Sequence, residues 1–154
     1  LPETELLLLY AGRHQHVQKV IKPALAQGSW VVCDRFVDAT YAYQGAGRGI
    51  ATKHIDQLNH WLLPNLVPDL TLLLDLSVDE SFKRIGSKRK DRFEVEDHAF
   101  FTKIRESYLA RAQNEPKRFT IIDAKQPHEA VAADIEEALS SWISAWFKHQ
   151  KEMV

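Results

Sequence analysis

Trp30-Val31-Val32-Cys33-Asp34-Arg35-Phe36 is an apolar run that stops abruptly at an acid and a base. Consecutive apolar positions with β-branched Val31 and Val32 suit a strand covered on both faces, as in parallel sheets flanked by helices. Asp34 and Arg35 then fall at the strand's carboxyl end, the edge at which open α/β sheets bind their ligands. An arginine there suits phosphate, which a forked guanidinium meets with two hydrogen bonds, and the neighbouring carboxylate suits a metal or a proton. Taken alone, the pair reads first as a surface ion pair at a strand end. The rest of the chain shifts that balance.

With 154 residues, 45% apolar and 27% charged, the chain has the make-up of one soluble globular domain with a sizeable core. A net charge of −1 supplies no global attraction to nucleic acid or to an anionic membrane, so any anion must be bound by a local cluster. Cys33 is the only cysteine, which excludes an internal disulfide and a cysteine-based metal site and fits a reducing cytoplasm. No apolar run approaches the roughly twenty residues that span a bilayer. The expectation is a cytoplasmic protein. The chain opens at Leu1, within a few residues of a strongly helical pattern, which leads to the expectation of an upstream segment in the natural protein.

From about Glu3 to Gln27 the residues Leu6, Tyr10, Val17, Val20, Ile21 and Ala24 recur at helical spacing and predict one long amphipathic helix. Arg13 falls on the same stripe, where a guanidinium needs either an internal salt bridge or an anionic ligand. Pro23 predicts a kink or tightening of the last turns, and Gly28 a stop. Val37 to Gly49 ends in Gln44-Gly45-Ala46-Gly47-Arg48-Gly49, half of the chain's six glycines, and predicts a loop that turns freely or approaches something closely. It is not a P-loop, because no Lys-Ser or Lys-Thr pair follows the glycines. Thr40, Tyr41, Tyr43 and Gln44 before them suit a planar ligand or simple packing.

Thr52 reads as the cap of a helix running to Leu63, with Ile55, Leu58, Leu62 and Leu63 apolar and Pro64 ending it. Leu70 to Leu76 is the best second strand, and Ser77 with Glu80 forms a capping-box pattern for the next helix. In Lys83 to Arg92 six of ten residues are basic, a solvated surface loop or a lid carrying cations to phosphates. Asp97 begins a helix through Phe101, Ile104, Tyr108 and Ala112. Phe119 to Ala124 is a third strand, and Pro127 starts a last helix through Val131, Ile135, Leu139, Trp142, Ile143 and Trp146. Strands separated by helices imply parallel crossovers and a three-layer α/β fold.

Tyr10-Ala11-Gly12-Arg13, Ile21 to Leu25, Val31 to Phe36 and Ala42-Tyr43-Gln44-Gly45-Ala46-Gly47-Arg48-Gly49, in this order, closely resemble bacterial thymidylate kinases. Asp91-Arg92-Phe93-Glu94 and Ile122-Asp123-Ala124-Lys125-Gln126-Pro127 are similar to that family's lid and base-proximal loop. The resemblance implies a P-loop nucleoside-monophosphate-kinase-like parallel sheet, one domain over residues 1–154 with a basic lid at about 84–94, and phosphorylation of thymidine 5′-monophosphate by magnesium ATP. It implies that Arg35 holds the monophosphate, that Arg13 and Gln44 hydrogen-bond the thymine edge, and that Thr40 and Tyr43 lie near base and sugar. Asp34 is implied near Mg2+ and its waters, Arg84, Arg89 and Arg92 as lid cations, and Ala124, Gln126 and Pro127 beside adenine. A homodimer without nucleic-acid or membrane partners is implied as well.

The family begins with a strand and a Walker-type phosphate loop that do not stand in these 154 residues. The chain is therefore expected to be the carboxyl-terminal portion of a thymidylate kinase domain, lacking its N-terminal strands and inactive alone. The competing readings are a deoxynucleoside kinase and a catalytically silent nucleotide-binding or assembly module.

Overall fold

Pro2 at the first helical position needs no N–H bond and opens helix α1, Pro2–His16. The helical path continues as a π-helical segment, Val17–Ile21, and then as α2, Lys22–Ala26. The long predicted helix is thus present, but it widens where a tightening was expected. Pro23 has no N–H, and its ring would strike the carbonyl four residues back; the i→i−5 bond from Lys22 N–H to Val17 carbonyl opens the turn just before it. Leu6, Tyr10, Val17 and Ile21 are buried as expected, whereas Val20 is exposed, because the wide turn advances less per residue and carries it off the stripe.

The computed structural model describes residues 1–85 and 98–152. They fall into two compact units, residues 1–67 with 98–111, and residues 68–85 with 112–152. In the first unit, Trp30 to Phe36 is not a strand. A strand needs a ladder partner for its N–H and C=O groups, and none pairs with this run among the described residues. Val32 is accordingly 99% exposed. Val37 to Gly47, expected as a loop, is instead helical: α3, Val37–Thr40, runs into a second π-helical segment, Tyr41–Gly47. Only Gly49 of its glycines needs a positive φ, +78°, whereas Gly47 meets the other expectation, close approach, since a Cβ there would lie 2.6 Å from Phe100 Cε2. Helix α4, Thr52–Leu62, starts at Thr52 with Ala51 before it, so Thr52 is not the cap. Leu6, Tyr10, Val17, Ile21, Val37, Ile55 and Leu63 form the core of this unit.

In the second unit β1, Thr71–Asp75, pairs in parallel with β2, Phe119–Asp123, in the register Thr71 to Phe119 through Asp75 to Asp123. Helix α5, Val78–Ile85, follows β1, and Glu80 N–H donates to Ser77 Oγ at 3.3 Å, the cap anticipated from the pattern. Helix α6, His98–Asn114, precedes β2; its expected start at Asp97 lies outside the described residues. Helix α7, His128–Glu152, follows β2, with the Pro127 carbonyl accepting from Ala130 and Val131 N–H. Arg118 is 8% exposed and bonds both carboxylate oxygens of Glu115 and Thr71 Oγ1, which ties the start of β2 to that of β1. The parallel pairing of strands separated by helices is the expected α/β arrangement.

Candidate active site

Helix α1 and the run from Val32 to Phe36 face each other across a cleft of about 330 Å³, lined by Leu9, Arg13, His16, Val32, Cys33, Asp34, Arg35 and Phe36. Three residues named from the sequence, Arg13, Asp34 and Arg35, come together there although the last two stand on no strand. Arg35 takes φ +58°, a left-handed conformation that costs a side-chain-bearing residue of the order of 1–2 kcal/mol and is retained mainly at functional sites. Its exposed guanidinium lies 5.2 Å from the centre of the Tyr43 ring. Asp34 is exposed. The Cys33 thiol is pushed up in pKa, by burial first, with Arg13 opposing and Asp34 assisting.

Arg13 has no carboxylate partner among the described residues, so the internal salt bridge is not what holds it. Its guanidinium lies over the rings of Tyr10 and Phe36, at 5.0 and 5.6 Å, and Nη2 donates to the Phe36 carbonyl at 3.3 Å. Nη1 is buried without a partner. Burial lowers the pKa of this group, the Tyr10 and Cys33 interactions opposing. A buried donor without an acceptor costs about 1–3 kcal/mol, which an acceptor on a ligand would recover.

The helical turn from Val37 to Gly47 carries the remaining candidates of this unit. Thr40 Oγ1 is buried without a partner. Gln44 is 5% exposed, and its Nε2 donates to Glu5 Oε1 on α1 at 2.6 Å. Tyr43 meets Phe100 of α6 edge-on, with ring centres 6.3 Å apart. Asp38, 4% exposed, accepts from Arg111 Nε at 2.6 Å, and Arg111 lies 4.0 Å over the Tyr41 ring. Behind these, Tyr10 Oη donates to Asn59 Oδ1 at 2.6 Å, Asn59 Nδ2 donates to Tyr41 Oη at 2.9 Å, and Tyr41 Oη donates to Asp56 Oδ1 at 2.5 Å. Burial raises the Tyr108 phenol to about 12, with Tyr43 adding to the rise and Arg35 opposing it.

Sequence reasoning passed over Glu5, Asp38, Asn59 and Arg111. Asn59 did carry a local signal, being a polar residue four positions after buried Ile55 on the inward side of α4. Asp38 and Arg111 are 73 residues apart, and no local pattern joins them.

The loop expected beside adenine lies in the second unit. Asp123 Oδ1 accepts from Lys125 N–H at 2.9 Å, and Gln126 Nε2 donates to Asp134 Oδ2 at 2.7 Å and to the Asp123 carbonyl at 3.3 Å. Arg84 Nη2 donates to the Lys125 carbonyl at 3.1 Å, so this guanidinium braces the loop of Ala124, Gln126 and Pro127. Arg89 and Arg92, with nearly all of the expected lid at 84–94, lie outside the described residues. Among the described residues no three carboxylate, histidine or cysteine side chains gather into a metal cage. A lone, exposed Asp34 suits a hydrated Mg2+, which keeps most of its waters. No helix of the described residues is long and apolar enough to cross a membrane.

Comparison with known proteins gives these groups a context. The family profile described as thymidylate kinase matches residues 1–135. The thymidylate kinase of Methylococcus capsulatus is 52% identical over 147 residues, covering 92% of this chain and 71% of its own. That of Cupriavidus pinatubonensis is 48% identical over 140 residues, covering 90% and 69%. The crystal structure of thymidylate kinase from Ehrlichia chaffeensis superposes with a TM-score of 0.72 at 31% identity, covering 90% of this chain and 67% of that one. On the family profile and on relatives at about half identity over most of its length, this chain belongs to the thymidylate kinase family.

Proposed function

We infer that the site serves ATP-dependent phosphorylation of thymidine 5′-monophosphate, an oxygen of that phosphate attacking the γ-phosphorus of ATP while the bond to the β–γ bridging oxygen breaks, to leave ADP and thymidine diphosphate. The observation that carries this reading is the set of unspent polar groups in one unit: Arg13 Nη1 and Thr40 Oγ1 are both buried without partners, and Arg13 lines the same cleft as Arg35. A pyrimidine edge supplies acceptors for such groups, and a monophosphate on the sugar supplies the dianion for Arg35. Arg13 and Gln44 read the base, Thr40 lies near it, Tyr43 packs on the sugar beneath Arg35, and Arg35 orients the attacking phosphate. Asp34 would hold Mg2+ through water, and the ion would supply positive charge against the phosphates. On the ATP side Ala124, Gln126 and Pro127 border adenine, Arg84 and Arg92 bind the nucleotide, and Arg89 and Arg92 place positive charge on the transferring group.

The deoxynucleoside-kinase alternative is disfavoured by the exposed Arg35, which a substrate without phosphate leaves unused. Steady-state turnover of thymidine monophosphate against thymidine in the whole enzyme tests the proposal: the monophosphate should be phosphorylated and the nucleoside not. The reverse preference would refute it.

A further inference from the structure

The amide of buried Gln44 is not free to choose which end it shows. Its nitrogen lies 2.6 Å from Glu5 Oε1, and a carboxylate can only accept, so the NH₂ must face Glu5 and the carbonyl oxygen must face elsewhere. That oxygen has no hydrogen-bond partner among the described residues. The donor Arg13 Nη1 likewise has none. Of the two side chains taken to read the base, Gln44 is therefore an acceptor whose sense is set by Glu5, and Arg13 is a donor that never changes sense.

We propose that Glu5 of α1 is a specificity-determining positioning residue: by holding the Gln44 amide in one orientation, it makes the site accept pyrimidines with a ring N–H beside a carbonyl and reject those with a bare ring nitrogen beside an amine. Thymine offers N3–H to the Gln44 oxygen and O4 to Arg13. Cytosine offers an acceptor at N3 and a donor at N4, and so mismatches both groups. Glu5 touches no substrate in this account; it acts through Gln44. The inference rests on the thymidine monophosphate reading above, with Arg13 and Gln44 on the base edge.

Glu5→Gln removes the acceptor-only constraint without changing size, because the new amide can accept from or donate to Gln44. In the whole enzyme, the ratio of kcat/KM for thymidine monophosphate over deoxycytidine monophosphate should fall by about tenfold or more, the scale of one mis-set buried hydrogen bond. Glu5→Asp stays acceptor-only on a shorter stem, so it should lose rate yet keep most of that ratio. A Glu5→Gln enzyme with unchanged discrimination, or a Glu5→Asp enzyme as undiscriminating as Glu5→Gln, would overturn the role. Wild-type turnover is scored first: no phosphorylation of thymidine monophosphate refutes the function itself, whereas normal turnover with a ratio indifferent to residue 5 refutes only the part played by Glu5.

Discussion

Arg35 joins a left-handed backbone to a side chain that a left-handed position does not favour. Arg35→Ala removes the guanidinium and keeps a Cβ, so monophosphate affinity measured by calorimetry should drop by roughly 2–4 kcal/mol while the conformational cost stays. Arg35→Gly removes both. Relief of about 1–2 kcal/mol of strain then opposes a backbone-entropy loss of about 0.5–1 kcal/mol, and the variant should melt no lower than the wild type while binding no better than Arg35→Ala. Unchanged monophosphate affinity in either variant would remove Arg35 from the site.

Two helical segments with a wide turn, Val17–Ile21 and Tyr41–Gly47, set the pitch of the elements that bear the site. The second is held by hydrogen bonds running from Tyr10 through Asn59 and Tyr41 to Asp56, so α4 supports a site that it does not enter. Burial, then the hydrogen bond to Asp56, raises the Tyr41 phenol from 10.0 to about 12. The fold favours the protonated phenol, so its contribution is complete below pH 10 and is lost as pH rises towards 12. Thermal stability should fall over that window, and less steeply in Tyr41→Phe. Gly47→Ala should also destabilise, by about 1–3 kcal/mol from overpacking, because the added methyl at 2.6 Å from Phe100 outweighs the roughly 1 kcal/mol gained in helix propensity. Phe100 packs edge-on against Tyr43, so monophosphate binding should weaken with it. A melt at or above the wild-type temperature would show that the ring yields freely.

At the scale of the whole enzyme, turnover and assembly depend on parts that no single helix decides. On the function proposed above, cations at Arg89 and Arg92 act where charge develops on the transferring phosphoryl group, so Arg89→Ala or Arg92→Ala should lower kcat more than it weakens thymidine monophosphate binding. An effect confined to that affinity would make them simple attractants of the anion. Leu7 and Leu8, 57% and 69% exposed on α1, leave an apolar face that a second copy of the chain would cover. Sedimentation at micromolar concentration should accordingly give a dimer, and a monomer would contradict it.

What the sequence determined by itself was whatever is satisfied locally: Thr71–Asp75 and Phe119–Asp123 stand inside the expected strands, the Ser77 cap forms, and the inward stripe of α1 buries Leu6 and Tyr10. Hydrophobic period and caps act within a few residues, so they survive any arrangement of the rest. Motif order likewise points to the thymidylate kinase family, since it is a property of the sequence alone. The tertiary structure alone decided whether Val31 to Phe36 is a strand, since strandness belongs to a pair of chains and the apolar run only makes it eligible. It also decided that Gly45 and Gly47 lie within a helical turn, that Pro23 is met by widening, and that Arg111 neutralises Asp38 from 73 residues away. Above all it turned Gln44 towards Glu5, because the sense of an amide is set by its partner and not by its own residue type.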